Sequence, residues 1–116
     1  MDRRKELKEK YRQLKPDMGV FAACSSCSNK CYIESTKDLR SRINSTRFKL
    51  EAGNHPVREL QEEWKERGED CFTIEILEKL EYDKDESKND YTDDLDLLKM
   101  IWEENLLKKG YRFYKK

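Results

Sequence analysis

The sequence predicts one α+β domain in which a small sheet is covered by helices. With 116 residues, the chain is long enough for one compact core and too short for two. Apolar residues recur at helical spacing in some segments and alternate in others, in the order helix, hairpin, helix, helix, strand, helix. Only 35% of the residues are hydrophobic and 43% are charged, so the core must come from these few patterned segments.

The first third of the chain predicts a helix followed by a β-hairpin. Residues 2–15 place three apolar side chains at helical spacing among charges: Leu7, Tyr11 and Leu14. Pro16 ends this helix, so we expect a helical extension over residues 1–17. Two β-favouring runs then follow, residues 18–23 and 30–34, separated by a turn rich in Ser and Cys.

The middle of the chain predicts two helices and a strand. Ser35 or Thr36 suits the cap of a helix, and an apolar stripe follows at Leu39, Ile43, Thr46 and Leu50. This helix stops near Gly53. Pro56 suits the first turn of the next helix, which Gly68 ends. Residues 71–77 alternate as a strand does.

The last third predicts an acidic connection, a helix and a short tail. Residues 81–96 hold eight acidic and two basic side chains, which indicates a solvated connection. Residues 93–109 form an amphipathic helix that Gly110 stops. We therefore expect a main domain over residues 18–110 and a basic, aromatic tail over residues 111–116.

Charge and cysteine content restrict the environment and the partners. Residues 1–50 carry 13 Lys and Arg against 6 Asp and Glu, while residues 51–116 carry 12 against 19. This asymmetry suits either a basic face that meets phosphates or mutual neutralisation of the two halves. No apolar run approaches the roughly 20 residues of a membrane span, and no signal core follows the N-terminus, so we expect a cytoplasmic protein. Four cysteines in such a chain favour free thiols or metal ligands over disulfides.

Two tripeptides and an arginine carry a resemblance to a known family. Gly19-Val20-Phe21, Tyr32-Ile33-Glu34 and Arg42 resemble the paired motifs and downstream arginine of the GIY-YIG endonucleases. Further segments match in family order over roughly residues 18–107, among them Ser28-Asn29-Lys30, Lys37-Asp38-Leu39, Gly53-Asn54-His55-Pro56, Leu60-Gln61-Glu62-Glu63-Trp64 and Ile74-Glu75-Ile76-Leu77-Glu78. The resemblance implies a three-stranded antiparallel sheet flanked by helices.

The resemblance also implies an active site for phosphodiester hydrolysis. Active relatives use a glutamate-bound divalent metal, magnesium or manganese, with tyrosines, an arginine and often a histidine to cleave DNA. Tyr32 matches a family tyrosine and Arg42 matches the arginine, so these two are the candidate catalytic residues, active or vestigial.

Several departures from the family pattern argue against cleavage. Phe21 lacks the hydroxyl of the first motif, and Glu34 replaces a glycine of the second. Ser45 or Thr46 lies where a histidine or tyrosine is common. Lys99 stands where relatives carry the metal-binding glutamate, and a cation repels a divalent metal. A shifted register would offer Asp96 or Glu103 instead.

Two other groups of residues suggest competing chemistries. Cys24, Cys27 and Cys31 surround the hairpin turn and suit zinc, with a fourth ligand to come from Cys71 or His55, although packed or turn thiols explain them equally. His55 precedes Pro56 at a helix start, which favours a loop or capping role. The tail alternates aromatic and basic side chains, which suits either base stacking or docking on the sheet.

The sequence therefore favours a degenerate GIY-YIG-like domain without nuclease activity that binds nucleic acid. The predicted contacts are Arg40, Arg42, Arg47, Lys49, Tyr111 and Arg112. One alternative is an active, metal-dependent DNA endonuclease that uses the relocated carboxylate. Another is a protein-interaction module that uses residues 81–96.

Overall fold

The computed structural model of the chain describes residues 15–85 and 87–115. Its elements follow the order β1 (Met18–Ser25), β2 (Lys30–Thr36), α1 (Leu39–Ala52), α2 (Arg58–Arg67), β3 (Phe72–Leu80), α3 (Thr92–Lys108) and β4 (Arg112–Phe113). The predicted α+β class is confirmed. Most of the expected N-terminal helical extension, residues 1–14, lies outside the described residues.

The sheet has four strands in the order β3-β1-β2-β4, one more than the resemblance implied. β1 pairs antiparallel with both β2 and β3. After α3 the chain returns alongside β2, where β4 pairs in parallel and aligns Lys30 with Arg112. The backbone N–H groups of Arg112 and Tyr114 donate to the carbonyl oxygens of Asn29 and Cys31. The extra strand therefore comes from the tail, which is docked on the sheet.

Gly19, the first residue of the first motif, is required by the approach of two backbones. A side chain at this position would collide with the carbonyl oxygen of Glu78 on β3. The pairing of β1 with β3 shifts by one residue between Val20 and Phe21, which is a β-bulge beside this contact. A glycine is therefore needed for packing of the strands, whatever the chemistry of the site.

Helices cover both faces of the sheet. On the α3 face, residues of β1 and β2 pack against one helix, with the buried cluster Val20, Cys31, Ile33, Leu98 and Leu106. On the α1–α2 face, the buried cluster is Leu50, Val57, Leu60, Trp64 and Tyr114, with Tyr32, Phe72 and Ile74 packed against it. Strand alternation thus sends Tyr32 and Ile33 to opposite sides.

The C-terminal ends of α1 and α2 follow the predicted signals, but their starts differ from the prediction. The predicted cap of α1, Ser35 or Thr36, is wrong, because α1 begins at Leu39. The Asp38 side chain caps α1 by accepting from the Ser41 N–H, and Gly53 ends α1 with a left-handed φ of 80°. Gly68 follows the end of α2, as predicted. The placement of Pro56 in the first turn of α2 is wrong, because α2 begins at Arg58.

The prediction of free thiols is wrong, because all four cysteines form disulfides. Cys24 lies opposite Cys31 in the antiparallel register, with 4.1 Å between their Cα atoms. Cys27 in the hairpin turn joins Cys71, the residue just before β3, across 6.0 Å between Cα atoms. Disulfides form and persist mainly in oxidising environments. The cytoplasmic location is not tested by the structure and stays a prediction.

The acidic connection between β3 and α3 is anchored by two tyrosines. The rings of Tyr82 and Tyr91 meet edge to face at 5.5 Å, and the Tyr82 hydroxyl donates to the Pro16 carbonyl. The Tyr91 side chain is buried beside Met18 and Leu95. Within the described residues, no helix combines the length and apolarity needed to cross a membrane.

Candidate functional site

The second motif places Tyr32 and Glu34 on the α1–α2 face of the sheet. They are two residues apart on β2, so their side chains lie on the same side. Glu34 is paired with Phe21 of the first motif across β1 and β2. Phe21 is fully buried and carries no hydroxyl, so it takes part only in packing.

Arg42 lies within reach of Glu34 and forms a two-point ion pair with it. The Arg42 Nε donates to Glu34 Oε2 at 3.0 Å, and Nη2 donates to Oε1 at 2.9 Å. The arginine side chain is 47% exposed and the glutamate side chain 18%. The planar guanidinium matches a carboxylate as it would match a phosphate. Glu34, which replaces the motif glycine, therefore binds Arg42, the arginine that the family resemblance marks as catalytic.

Tyr32 is half-buried beside this pair and remains protonated at neutral pH. Burial raises the pKa of Tyr32 to about 12, and the negative charge of Glu34 adds to the rise, while Arg42 acts in the opposite direction. The raised pKa therefore disfavours the phenolate, and the phenol is a hydrogen-bond donor at neutral pH.

His55 completes the group, although sequence reasoning favoured only a loop or capping role. Its ring meets the Tyr32 ring edge to face, with centroids 5.1 Å apart. Its Nδ1 accepts the Val57 N–H at 3.1 Å, a contact that fits the loop role. Burial lowers the pKa of His55, and the nearby charge of Lys49 lowers it further. His55 is therefore neutral at pH 7, and its Nδ1 is already used.

The hydrogen bonds around His55 explain its position. Its backbone N–H donates to Gln61 Oε1, and Gln61 Nε2 donates to the Leu50 carbonyl. The Gln61 side chain of α2 thus holds the loop between α1 and α2 through hydrogen bonds near both of its ends. No local pattern in the sequence signals the contact with Tyr32, because 23 positions separate the two residues and only the packing of α1 and α2 joins them.

The basic residues predicted to contact nucleic acid do not lie on one surface. Arg42 and Lys49 are near Tyr32 and His55, whose pKa values their charges influence. Arg47 lines a groove beside Trp64 and Phe72, while Arg40 lines another near Asp17 and Ile76.

The tail residues of the predicted set lie elsewhere. Tyr111 packs against the α3-face cluster, and the side chain of Arg112 on β4 is exposed. The structure therefore groups Arg42 and Lys49 with the site and separates the other four residues from it.

The donors around Tyr32 and Arg42 do not suit the divalent metal that the resemblance implies. Glu34 is the carboxylate of the group, and both of its oxygens accept from Arg42. Asp96 and Glu103 lie on α3, whose buried residues pack on the opposite face of the sheet, and Lys99 lies between them in sequence. Among the described residues, no three His, Cys, Asp or Glu side chains are grouped to hold a metal ion.

The zinc alternative loses its ligands in this structure. Cys24 and Cys31 are bonded to each other, and Cys27 is bonded to Cys71. A zinc ion binds thiolates, which disulfide sulfurs cannot supply.

Comparisons with known proteins identify the fold. No protein-family model and no curated protein match the chain. A mutant form of the catalytic domain of the intron endonuclease I-TevI is 26% identical, with a TM-score of 0.62, over 85% of this chain and 92% of that one. A second structure of the catalytic domain of this homing endonuclease is 24% identical, with a TM-score of 0.64, over 85% and 99%. The chain therefore has the GIY-YIG-like fold of a nuclease-like domain.

Proposed function

We propose that this nuclease-like domain binds nucleic acid without cleaving it. The observation that carries the proposal is the two-point ion pair between Glu34 and Arg42. In phosphodiester hydrolysis, an arginine at this position would neutralise charge that develops on the phosphate. Here the charge is already neutralised within the protein by a carboxylate, which would also repel an incoming phosphate.

Three further observations support the absence of cleavage. Tyr32 keeps its proton at neutral pH, and Phe21 has no hydroxyl to offer. The Nδ1 of His55 accepts a backbone N–H, so this nitrogen is not free to take a proton from water. The carboxylates of the site do not form a metal-binding group with their neighbours, as described above.

Nucleic acid is the partner class that the fold and the surrounding charges support. The similar solved structures are catalytic domains of an endonuclease. Arg42 and Lys49 lie beside Tyr32 and His55. A groove next to His55 is lined by two further cations, Arg58 and Lys65, and one carboxylate, Glu62. Lysines and arginines around an open surface bind a phosphate backbone without reading its sequence.

Cleavage is tested with the full 116-residue protein and supercoiled plasmid DNA, with magnesium and with manganese. We expect no nicked or linear product in either metal. Arg42→Ala is the matched variant. Cleavage by the original protein that disappears in Arg42→Ala would show a working site and contradict the proposal.

Binding is tested by fluorescence anisotropy with a labelled DNA duplex and a labelled single strand at 50 and 200 mM salt. We expect affinity to fall steeply between the two salt concentrations, because binding releases counterions from the phosphates. Glu34→Gln frees Arg42 and should tighten binding by roughly tenfold, the effect of about 1.4 kcal/mol expected from one additional charge-assisted contact.

Glu75→Gln is the control for this variant, because it removes the same charge from an exposed position on β3. An equal increase in DNA affinity in both variants would mean that net charge alone causes the effect. That result would contradict the role of the ion pair. Absence of binding at 50 mM salt would contradict nucleic-acid binding itself.

A further inference from the structure

The two disulfides differ in how easily solvent reaches them. Cys27 is exposed in the hairpin turn, and its partner Cys71 is half-buried. Cys31 is fully buried, and its partner Cys24 is half-buried against the α3-face cluster. A reducing thiol must reach a disulfide sulfur in order to attack it, and exposed disulfides are the labile ones. Of the four cysteines, Cys27 is therefore the one most open to attack.

The groove beside Cys24 gives a thiol a poorer route to the other disulfide. Trp102 and Leu106 of α3 form apolar walls of this groove, and its charged side chains, Glu75 and Lys109, have opposite signs. The attacking group is a thiolate anion, so apolar walls without a net positive charge disfavour its approach. Once opened, this disulfide would re-form readily, because its cysteines lie directly opposite each other in the β1–β2 register.

The exposed disulfide fixes the hairpin turn, residues 26–29, against the residue that precedes β3. All four residues of the candidate functional site lie between its cysteines, which are 44 positions apart. The turn also contacts two other elements. The Ser28 hydroxyl donates to Glu63 Oε1 of α2 at 2.6 Å, and the Arg112 N–H of β4 donates to the Asn29 carbonyl oxygen at 3.0 Å. The position of the turn therefore affects how α2 and the tail are held.

Hydrogen bonds from Ser26 would keep the turn beside β3 after reduction. The Ser26 N–H and hydroxyl both donate to the Cys71 carbonyl oxygen, at 2.8 and 3.2 Å. Ser26 is exposed, so water competes for both of these hydrogen bonds. Loss of the covalent link should therefore leave the turn in place and increase its mobility.

The tail contacts the turn at one end and is held independently at the other. Arg112 depends on the turn, because its N–H donates to Asn29. Tyr114 is buried in the α1–α2-face cluster, and the Lys115 N–H donates to Glu59 Oε2 at 3.4 Å. Increased mobility of the turn should therefore loosen the tail at Arg112 and leave Tyr114 packed.

We propose that the Cys27–Cys71 disulfide is a redox-sensitive clamp, which reducing thiols open before Cys24–Cys31 and whose opening loosens the start of β4. A thiolate attacks the Cys27 sulfur, forms a mixed disulfide with it and displaces the Cys71 thiolate. A second thiolate then displaces the Cys27 thiolate, and the reductant leaves as a disulfide. Two electrons pass to the protein, and each cysteine takes up one of the protons that the reductant lost on ionisation. The proposal does not depend on nucleic-acid binding and is tested without DNA.

Partial reduction of the folded 116-residue protein with dithiothreitol tests the order of opening. Thiols are trapped with iodoacetamide at successive times, and peptide mass spectrometry follows each cysteine. Dithiothreitol is suitable because it has no carboxylate, which Glu69 and Asp70 beside Cys71 would repel. We expect Cys27 and Cys71 to be labelled roughly tenfold faster than the other two cysteines, because access controls exchange. Equal or slower labelling, or labelling before dithiothreitol is added, would overturn the proposal.

Nuclear magnetic resonance tests the effect on the tail. The heteronuclear NOE of each backbone amide reports picosecond to nanosecond motion of the folded protein. The oxidised, unmodified protein is compared with a double variant, Cys27→Ser with Cys71→Ser, which keeps the Cys24–Cys31 disulfide. We expect lower NOE values at Asn29 and Arg112 in the variant and an unchanged value at Leu98 in α3. The unmodified protein, reduced only at the clamp, is the second sample and should show the same pattern without any substitution.

Two results of this comparison would overturn the clamp. One is an unchanged NOE at Arg112 in both samples, because the tail would then be independent of the disulfide. The other is an equal decrease at Leu98, because the disulfide would then support the whole fold and would not act locally on the turn and the tail.

Discussion

The two faces of the sheet differ in the kind of contact that holds them. On the α3 face, Val20, Ile33 and Leu98 pack as apolar side chains, with a disulfide beside them between Cys24 and Cys31. On the α1–α2 face, an apolar cluster borders a polar group made of Tyr32, Glu34, Arg42 and His55. The strands that supply both faces are the same, so alternation along β2 separates structural support from candidate chemistry.

The difference separates motif residues that the fold needs for packing from motif residues that lie at the candidate site. Gly19 is needed for the approach of β1 to β3, and Ile33 is needed for the core of the α3 face. Phe21 and Glu34 are paired on the other side, where Phe21 is fully buried and Glu34 accepts hydrogen bonds from Arg42. The fold is thus compatible with a site in which the arginine is neutralised.

The largest expected effect is a difference in stability between substitutions on the two faces at adjacent positions of β2. Ile33→Ala should lower the free energy of unfolding by about 2–5 kcal/mol, because it leaves a cavity against Leu98. Tyr32→Phe removes only a hydroxyl from a half-buried ring and should cost about 1 kcal/mol or less. Urea unfolding followed by circular dichroism measures both. Equal losses would mean that the two faces contribute alike.

A disulfide effect of similar or slightly smaller size is expected at the end of the sheet. Replacing both Cys27 and Cys71 with serine opens a loop of 44 residues and should cost about 2–4 kcal/mol. Thermal unfolding of this double variant, compared with the unmodified protein under non-reducing conditions, measures the loss. An unchanged melting temperature, together with free thiols in the unmodified protein, would contradict the disulfide.

The ion pair of the candidate site should matter much less to stability. Arg42 is nearly half exposed, and exposed pairs typically contribute about 0.2–1 kcal/mol. Glu34→Gln should therefore lower the free energy of unfolding by no more than about 1 kcal/mol, while it changes DNA binding as described above. A loss comparable to that of Ile33→Ala would place this pair among the main supports of the fold.

The smallest effect is a pH dependence from His55. Its pKa in the folded protein lies below the unfolded value of about 6.5, so the unfolded chain binds more protons below that pH. Its contribution to stability is complete above pH 6.5 and declines as the pH falls toward the folded pKa. Melting temperatures at pH 7.5 and 5.5 should differ less in His55→Gln than in the unmodified protein. The same difference in both would remove His55 as the cause.

Much of the fold is predictable because its signals are local. The hairpin, the three helices and β3 follow from periodicity, and the C-terminal ends of α1 and α2 follow from Gly53 and Gly68. The docked strand β4 is less predictable, because a two-residue strand has no periodic pattern of its own. The candidate pair Tyr32 and Arg42 could be found from the motif spacing. The contacts of Tyr32 with His55 and of Arg42 with Glu34 could not.

By itself, the sequence determined the element order, the bulk of the core stripes and the motif positions, because these depend on interactions within a few residues. Tertiary structure alone decided that Cys27 joins Cys71, that His55 reaches Tyr32 and that Glu34 occupies Arg42. Each of these contacts depends on strand register and on the placement of α1 and α2 over the sheet. Such geometry arises only when distant segments pack together, and no local pattern encodes it.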